Sequence, residues 1–196
     1  GNTASSEEWT GAGVPVGGWA TGGSLNSARN LLSRAGVQTS ALTFGGGGAG
    51  ALTEKYNGST WTEVNDLNTG RNTIGGFGAT GDSAIGAGGY SGTAKTETES
   101  WNGTNWTEVN DLNTARASIS SAGNSTTAAL GFGGSAPPGV QALTEEWNGV
   151  SWVETSDMSI ARTQGAGTGT STSALAFGGE LPPATAATEE WNVPSN

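Results

Sequence analysis

The side chains that could do chemistry in this 196-residue chain come in matched sets rather than in one cluster. Arg29, Arg71, Arg116 and Arg162 each follow a tryptophan by ten residues, those tryptophans being Trp19, Trp61, Trp106 and Trp152. Glu63, Glu108 and Glu154 follow the last three tryptophans by two, and Glu8, Glu54, Glu146 and Glu190 stand one or two before a second aromatic. Asp66, Asp111 and Asp157 lie five residues before their arginines, with Ser24 in that place in the first copy. Two carboxylates can serve a glycosidase as acid and base, but only in two distinct environments, and these copies are nearly equivalent. The NDLN turns at 65–68 and 110–113 are rich in oxygen yet lack a graded series of calcium ligands. No catalytic residue, metal site or cofactor is therefore expected. The Asn-x-Ser/Thr triplets at Asn57, Asn102, Asn105 and Asn124 read most simply as turn asparagines.

Composition excludes more. There is no cysteine and no histidine, which removes disulfides, thiolate nucleophiles, Ser-His-Asp triads and imidazole ligation. The net charge of −10, with only seven basic residues, disfavours nucleic acid and anionic lipid as partners. No run of about 18 apolar residues is present, and GNTASSEEW has neither the basic nor the apolar segment of a signal peptide, so a soluble chain without membrane insertion is expected. Thirty-five glycines and only 12% charged residues would suit a flexible linker, but eight regularly placed tryptophans argue for a packed core.

The elements that position these residues follow from their period. The four tryptophans are 42, 45 and 46 residues apart. Gly-Gly pairs recur at Gly45-Gly46, Gly88-Gly89, Gly133-Gly134 and Gly178-Gly179, each followed by an aromatic at Tyr56, Trp101, Trp147 or Trp191. One period contains four strand-length runs, in the third copy 117–123, 127–134, 142–149 and 152–156. Asn-Gly at 57, 102 and 148 predicts a two-residue type I′ hairpin between the third and fourth strands. Four antiparallel strands in about 45 residues, repeated, describe a β-propeller blade, and a parallel β-solenoid would not call for a hairpin in every repeat. The expected fold is an all-β, single-domain propeller with repeats at about 20–61, 62–106, 107–152 and 153–191 and a partial copy at 1–19. Four blades would be closed by N- and C-terminal strands, with the Trp9 strand competing with Trp191 for one place. The surplus strand could pair with another subunit.

The order arginine, Gly-Gly, Tyr or Trp, then Trp resembles the kelch repeat over nearly the whole chain. That resemblance implies a propeller but no single activity. WNGTNWTEVNDLNTAR with ALGFGG further looks like the Gly/Thr-rich repeats of structural proteins of aquatic bacteriophages. A copper oxidase of the galactose oxidase kind is excluded, because its cysteine and histidines are missing.

In such a fold Trp61, Trp106 and Trp152 are expected to wedge between blades, the alternative being sugar stacking, and small residues should line the axis. Arg71, Arg116 and Arg162 are expected to pin successive blades by pairing with the nearby aspartates or capping carbonyls, the alternative being a ligand-binding ring on the axis. The loops from each Gly-Gly pair to the next aromatic differ most between copies. A recognition site would fall around Tyr90, Pro137, Pro138, Leu181, Pro182 and Pro183, unless these loops simply drift. The favoured function is a non-enzymatic structural or adhesive module of a virion surface, tail or fibre, or otherwise extracellular, facing other structural proteins or cell-surface glycans. A lectin-like propeller is the alternative.

Overall fold

The computed structural model describes residues 21–48 and 50–194, and every described strand is antiparallel to its neighbours. The first blade is β1 (Ser33–Val37), β2 (Ser40–Phe44), β3 (Thr53–Tyr56) and β4 (Trp61–Val64), paired in that order. The second is β5 (Gly75–Thr80), β6 (Ser83–Ala87), β7 (Thr98–Trp101) and β8 (Trp106–Val109). In the third, β9 (Ser120–Ala122), β10 (Ala129–Phe132), β13 (Thr144–Trp147) and β14 (Trp152–Glu154) form the sheet. A small extra hairpin, β11 (Ser135–Ala136) with β12 (Gly139–Val140), rises from its loop. The fourth contributes β15 (Ala166–Gly169), β16 (Ser173–Phe177) and β17 (Thr188–Asn192), three strands among the described residues.

The four sheets form a ring, the arrangement of a four-bladed β-propeller. Their inner strands β1, β5, β9 and β15 line one axial channel of ≈ 750 Å³. Closure of the ring through the Trp19 segment, the competing Trp9 strand and the partial copy at 1–19 lie outside the described residues.

Each blade is too thin to own a core, so the core is the set of seams between blades. Leu42 and Phe44 of the first blade bury against Ala84, Trp101 and Trp106 of the second. Phe77, Ile85 and Ala87 meet Ala129, Trp147 and Trp152 at the next seam, and Leu130 and Phe132 meet Ala174 and Ala176 at the third. Trp101, Trp106, Trp147 and Trp152 are each at most 5% exposed, a burial worth roughly 3 kcal/mol or more per ring.

Around the axis, backbone bonds tie blade to blade through an unusual residue. Leu31, Thr73, Ser118 and Gln164, each two residues after a repeat arginine, all have φ between 52° and 56°. The N–H of Thr73 donates to Leu31 O, that of Ser118 to Thr73 O, and that of Gln164 to Ser118 O. Left-handed backbone costs roughly 1–2 kcal/mol in an L-residue, so the seams on either side must hold it.

Three expectations are corrected. The Asn-Gly steps are not type I′ turns. Tyr56 pairs with Trp61, leaving a four-residue loop in which Asn57 Oδ1 accepts the N–H groups of Ser59 and Thr60, and of that Asn-Gly step only Gly58 has positive φ. Asn102 and Asn148 do the same. A large side chain does occur on an inner strand, because Phe77 turns from the axis into a seam, where it meets Trp152 edge-on at 5.9 Å. The sheet strand of the third copy's first run is also shorter than its pattern suggests, covering Ser120–Ala122.

The Gly-Gly pairs are fixed by space as well as by φ. At Gly133, with φ +64°, a Cβ would sit 2.5 Å from Arg162 O. Gly133→Ala is therefore expected to destabilise the fold by about 1–3 kcal/mol, read as a lowered urea midpoint. Gly139→Ala, whose Cβ would meet nothing within 4 Å, should leave the midpoint nearly unchanged.

Candidate functional site

The repeat arginines meet carboxylates, but not the aspartates nearest in sequence. Arg71 pairs with Glu99, Arg116 with Glu145, Arg162 with Glu189 and Arg29 with Glu54. Each partner is the glutamate two residues before a third-strand aromatic, and each pair joins a blade-to-blade turn to the third strand of the blade that follows it. The aspartates cap strands instead: Asp66, Asp111 and Asp157 accept the N–H of Thr53, Thr98 and Thr144, the first residues of β3, β7 and β13. An aspartate's reach is spent on its own blade, which leaves the arginine for the next.

Most of the polar atoms in this clamp have partners, although Arg116 Nε and Arg29 Nη2 are buried without one. Arg116 donates to Glu145 Oε1 at 2.7 Å, to Gly133 O at 2.9 Å and to Leu143 O at 2.8 Å. The other oxygen of Glu145 accepts the backbone N–H and the side-chain amide of Asn113, both at 2.8 Å, and that amide also reaches Trp152 O. Asn68 serves Glu99 in the same way, Asn26 serves Glu54, and Ser159 with its hydroxyl serves Glu189. The first clamp forms although Ser24 stands where the others have aspartate.

Burial alone would raise the pKa of Glu54, but hydrogen bonds from Arg29, Asn26 and Ser27 outweigh it and hold the carboxyl below its ordinary value. Glu189 is depressed in the same manner, burial being overcome by Ser159 and Arg162. Burial lowers the pKa of Arg116, and the charge of Glu145 only partly restores it. A set of ion pairs this enclosed is closed to a solute. The alternative of an arginine ring on the axis does not hold, since Arg71, Arg116 and Arg162 are at most 1% exposed within the seams. Arg34 is the one charged residue lining the channel among the described residues.

The wedge tryptophans are equally committed. Trp106 Nε1–H donates to Thr53 Oγ1 at 3.0 Å across the first seam, and Trp152 Nε1–H donates to Thr98 Oγ1 at 3.1 Å across the second. Trp101 and Trp147 bond Gly81 O and Thr126 O within their own blades. None of these four rings presents a face for a sugar. Trp61 is only half-buried and stacks at 5.0 Å on Tyr56. Glu63, Glu108 and Glu154 point to solvent, and among the described residues no group of three or more acidic side chains is placed to hold a metal. No described helix is long and apolar enough to cross a membrane.

No protein-family model matches the chain, and no curated protein matches it in sequence. What the chain presents to other molecules has to be read from its own surface.

The variable loops sit against the blade-to-blade turns through isolated bridges, Asn72 with Tyr90, Ala117 with Ser135 and Thr163 with Glu180. The structure brings three of the singled-out loop residues together. Tyr90, 44% exposed, forms a shallow shelf of ≈ 420 Å³ with Ala94, Ala136, Pro137 and Pro138. Leu181, Pro182 and Pro183 are exposed on the equivalent loop of the fourth blade and do not line that shelf. Sequence reading missed Glu99, Glu145 and Glu189 as clamp partners. Their signal was present all the same: in every copy from Tyr56 onward a glutamate stands two before the third-strand aromatic.

Removing one partner of a buried pair strands the other charge. Arg116→Met should cost about 3–5 kcal/mol in chemical unfolding, and the double change Arg116→Met with Glu145→Met should cost clearly less than the two single losses summed. Because the folded-state pKa of Glu54 and Glu189 is depressed, their contribution is complete at neutral pH. It is lost as pH falls through the ordinary carboxylate range near 4.3 and below, so the melting temperature should hold down to about pH 5 and then drop.

Proposed function

We propose that this protein is a non-enzymatic structural or adhesive module that binds through the loop face of a small propeller. The observation carrying this reading is the division of labour between its residues. The repeat arginines, their partner glutamates and Trp101, Trp106, Trp147 and Trp152, side chains well able to grip a ligand, are consumed inside the fold in blade after blade. The exposed aromatic and proline residues, Tyr90, Pro137 and Pro138, gather on loops that differ from blade to blade. A rigid scaffold with diverse loops on one face is the physical form of a recognition module. The kelch-like order of arginine, Gly-Gly and two aromatics, and the Gly/Thr-rich style shared with bacteriophage structural proteins, support a role on a virion surface, tail or fibre, or otherwise outside the cell. Its partners there are other structural proteins or cell-surface glycans. An acidic, weakly charged surface suits such a role better than one on nucleic acid.

The exposed ring of Tyr90 favours a second reading, glycan binding in the lectin manner, at the shelf rather than at the wedge tryptophans. A glycan array and a pull-down from intact host surfaces, each run with the natural chain and with Tyr90→Ala, test both. Retained assembly or surface attachment that Tyr90→Ala weakens by tenfold or more supports the loop face. Saturable sugar binding lost in the same variant selects the lectin reading, and binding indifferent to Tyr90 and to both diproline loops overturns the loop-face assignment.

A further inference from the structure

Each blade turns one face to the blade before it, and on three of the four that face keeps room for a neighbour's side chains. Gly76 faces Gly86 across β5 and β6, Ser121 faces Gly131 across β9 and β10, and Gly167 faces Ala176 across β15 and β16. A Cβ would lie 3.0 Å from the Phe44 ring at Gly76, 2.8 Å from it at Gly86 and 2.5 Å from the Phe132 ring at Gly167. The first blade departs from this pattern. Arg34 faces Thr43 across β1 and β2, so long or branched side chains stand where the other blades keep space. Phe177 precedes the fourth glycine pair as Phe44 precedes the first, yet it is 39% exposed.

The same face of the first blade carries donors that lack the partners their counterparts have. Arg34 is the one basic residue without an ion pair among the described residues, the other six all being paired. Trp106 and Trp152 donate their indole N–H to Thr53 and Thr98, but that of Trp61 has no acceptor among the described residues, and Thr188, the matching threonine of the fourth blade, is exposed. Tyr56 stands where the other blades have Trp101, Trp147 and Trp191. Those three bond a carbonyl of their own blade, whereas the Tyr56 hydroxyl has no partner among the described residues. Register puts these donors on one side of the sheet, since Arg34 faces Thr43, Ala41 two residues earlier faces Tyr56, and Tyr56 faces Trp61. With Leu32 and Gln38 they line one groove of ≈ 490 Å³.

A guanidinium presents paired donors that match a carboxylate, and the stacked rings of Tyr56 and Trp61 present an apolar surface edged with donors. A small inorganic anion has no use for the rings, and a neutral sugar leaves the arginine unanswered. A sugar ring bearing a carboxylate answers both. We propose that this groove binds an acidic sugar, a uronic or sialic acid of a glycan, with the ring against Tyr56 and Trp61 and the carboxylate on Arg34. The proposal rests on the glycan reading for the class of partner, but it places the sugar apart from the Tyr90 shelf.

Calorimetric titration of the full chain with methyl glucuronide and sialyllactose, set against methyl glucoside, lactose and sulfate, tests this. At least one acidic probe is expected to bind about tenfold or more tightly than its neutral counterpart and than sulfate. Arg34→Gln should abolish that preference and Trp61→Ala should weaken binding of the acidic probe, while Tyr90→Ala leaves it unchanged. Because Arg34 is exposed and unpaired, Arg34→Gln should also keep the natural melting temperature, which separates lost binding from lost fold. Acidic and neutral probes bound alike, a preference that survives Arg34→Gln, or sulfate bound as tightly as the acidic sugar would each overturn the groove. Binding that Tyr90→Ala removes and Arg34→Gln does not would overturn the groove while supporting the shelf, and no binding of any sugar would sink both.

Discussion

The buried arginine–glutamate clamp is the interaction on which the rest of this propeller depends. Enclosing both ions costs several kcal/mol each, and their attraction offsets this only if the remaining donors and lone pairs are met. The backbone meets most of them. Gly88 O and Thr69 O accept from Arg71 at 2.8 and 2.9 Å, with Gly86 O and Glu97 O at 3.3 Å, while the second oxygen of Glu99 takes the amide of Asn68. The Gly-Gly pair belongs to the same construction, since its positive φ turns the chain so that the first glycine's carbonyl faces the guanidinium and its Cα lies beside the next arginine's carbonyl. Arginine, glutamate, asparagine and the glycine pair therefore repeat together, because losing any one leaves a buried polar group unanswered.

A clamp placed in the linker also decides what the surface can do. The four clamps take four of the chain's seven basic residues and four of its seventeen acidic ones, so what is left for display is mostly acidic. The clamps demand near-identity between copies, while the loops beyond the Gly-Gly pairs carry no such demand and have diverged in length and chemistry. Tyr90 in the second blade, the Ser135–Val140 hairpin in the third and Glu180 in the fourth occupy one structural position with unrelated side chains. Diversity is confined to the places where it does not touch the clamp.

Much of this was legible in the chain, because a period of about 45 residues with strand-length runs leaves few folds, and the register of tryptophan and arginine marks the blade boundaries. The clamp partners were not, for a reason in the geometry. Glu99 lies 28 residues beyond Arg71, and an aspartate only five away offers a nearer answer that the structure spends on capping Thr53. The left-handed residues were invisible for another reason. Leu31, Thr73, Ser118 and Gln164 share no side-chain type and none is glycine, so the conformation is imposed by the closing of the ring and leaves no local mark. The Asn-Gly loops misled because asparagine's side chain, rather than its backbone, makes the turn. The exposed loop residues could be placed on the fold, but no pattern says that Tyr90 meets Pro137 and Pro138 while Leu181 stands apart.

The seams show that what the repeat conserves is volume at a place, not a residue at a position. Counting from each left-handed residue, Ala35, Phe77 and Ala122 are equivalent on the inner strands, and before each glycine pair Phe44, Ala87 and Phe132 are equivalent on the second strands. The first and third blades combine alanine inside with phenylalanine outside, and the second reverses them. Each of the three described seams thus receives one benzyl ring from whichever strand carries it, and at the first two the ring meets the same indole edge-on: Phe44 against Trp106, Phe77 against Trp152. Two rings would overfill a seam closed to within a few per cent of full burial, and two alanines would leave a cavity beside the tryptophan. A swap of this kind is possible only because neighbouring inner and second strands aim alternate side chains into one wedge. The exchange explains why Phe77 broke the expectation of a small-residue axis: its ring belongs to the seam, and the strand that bears it still lines the channel with glycine.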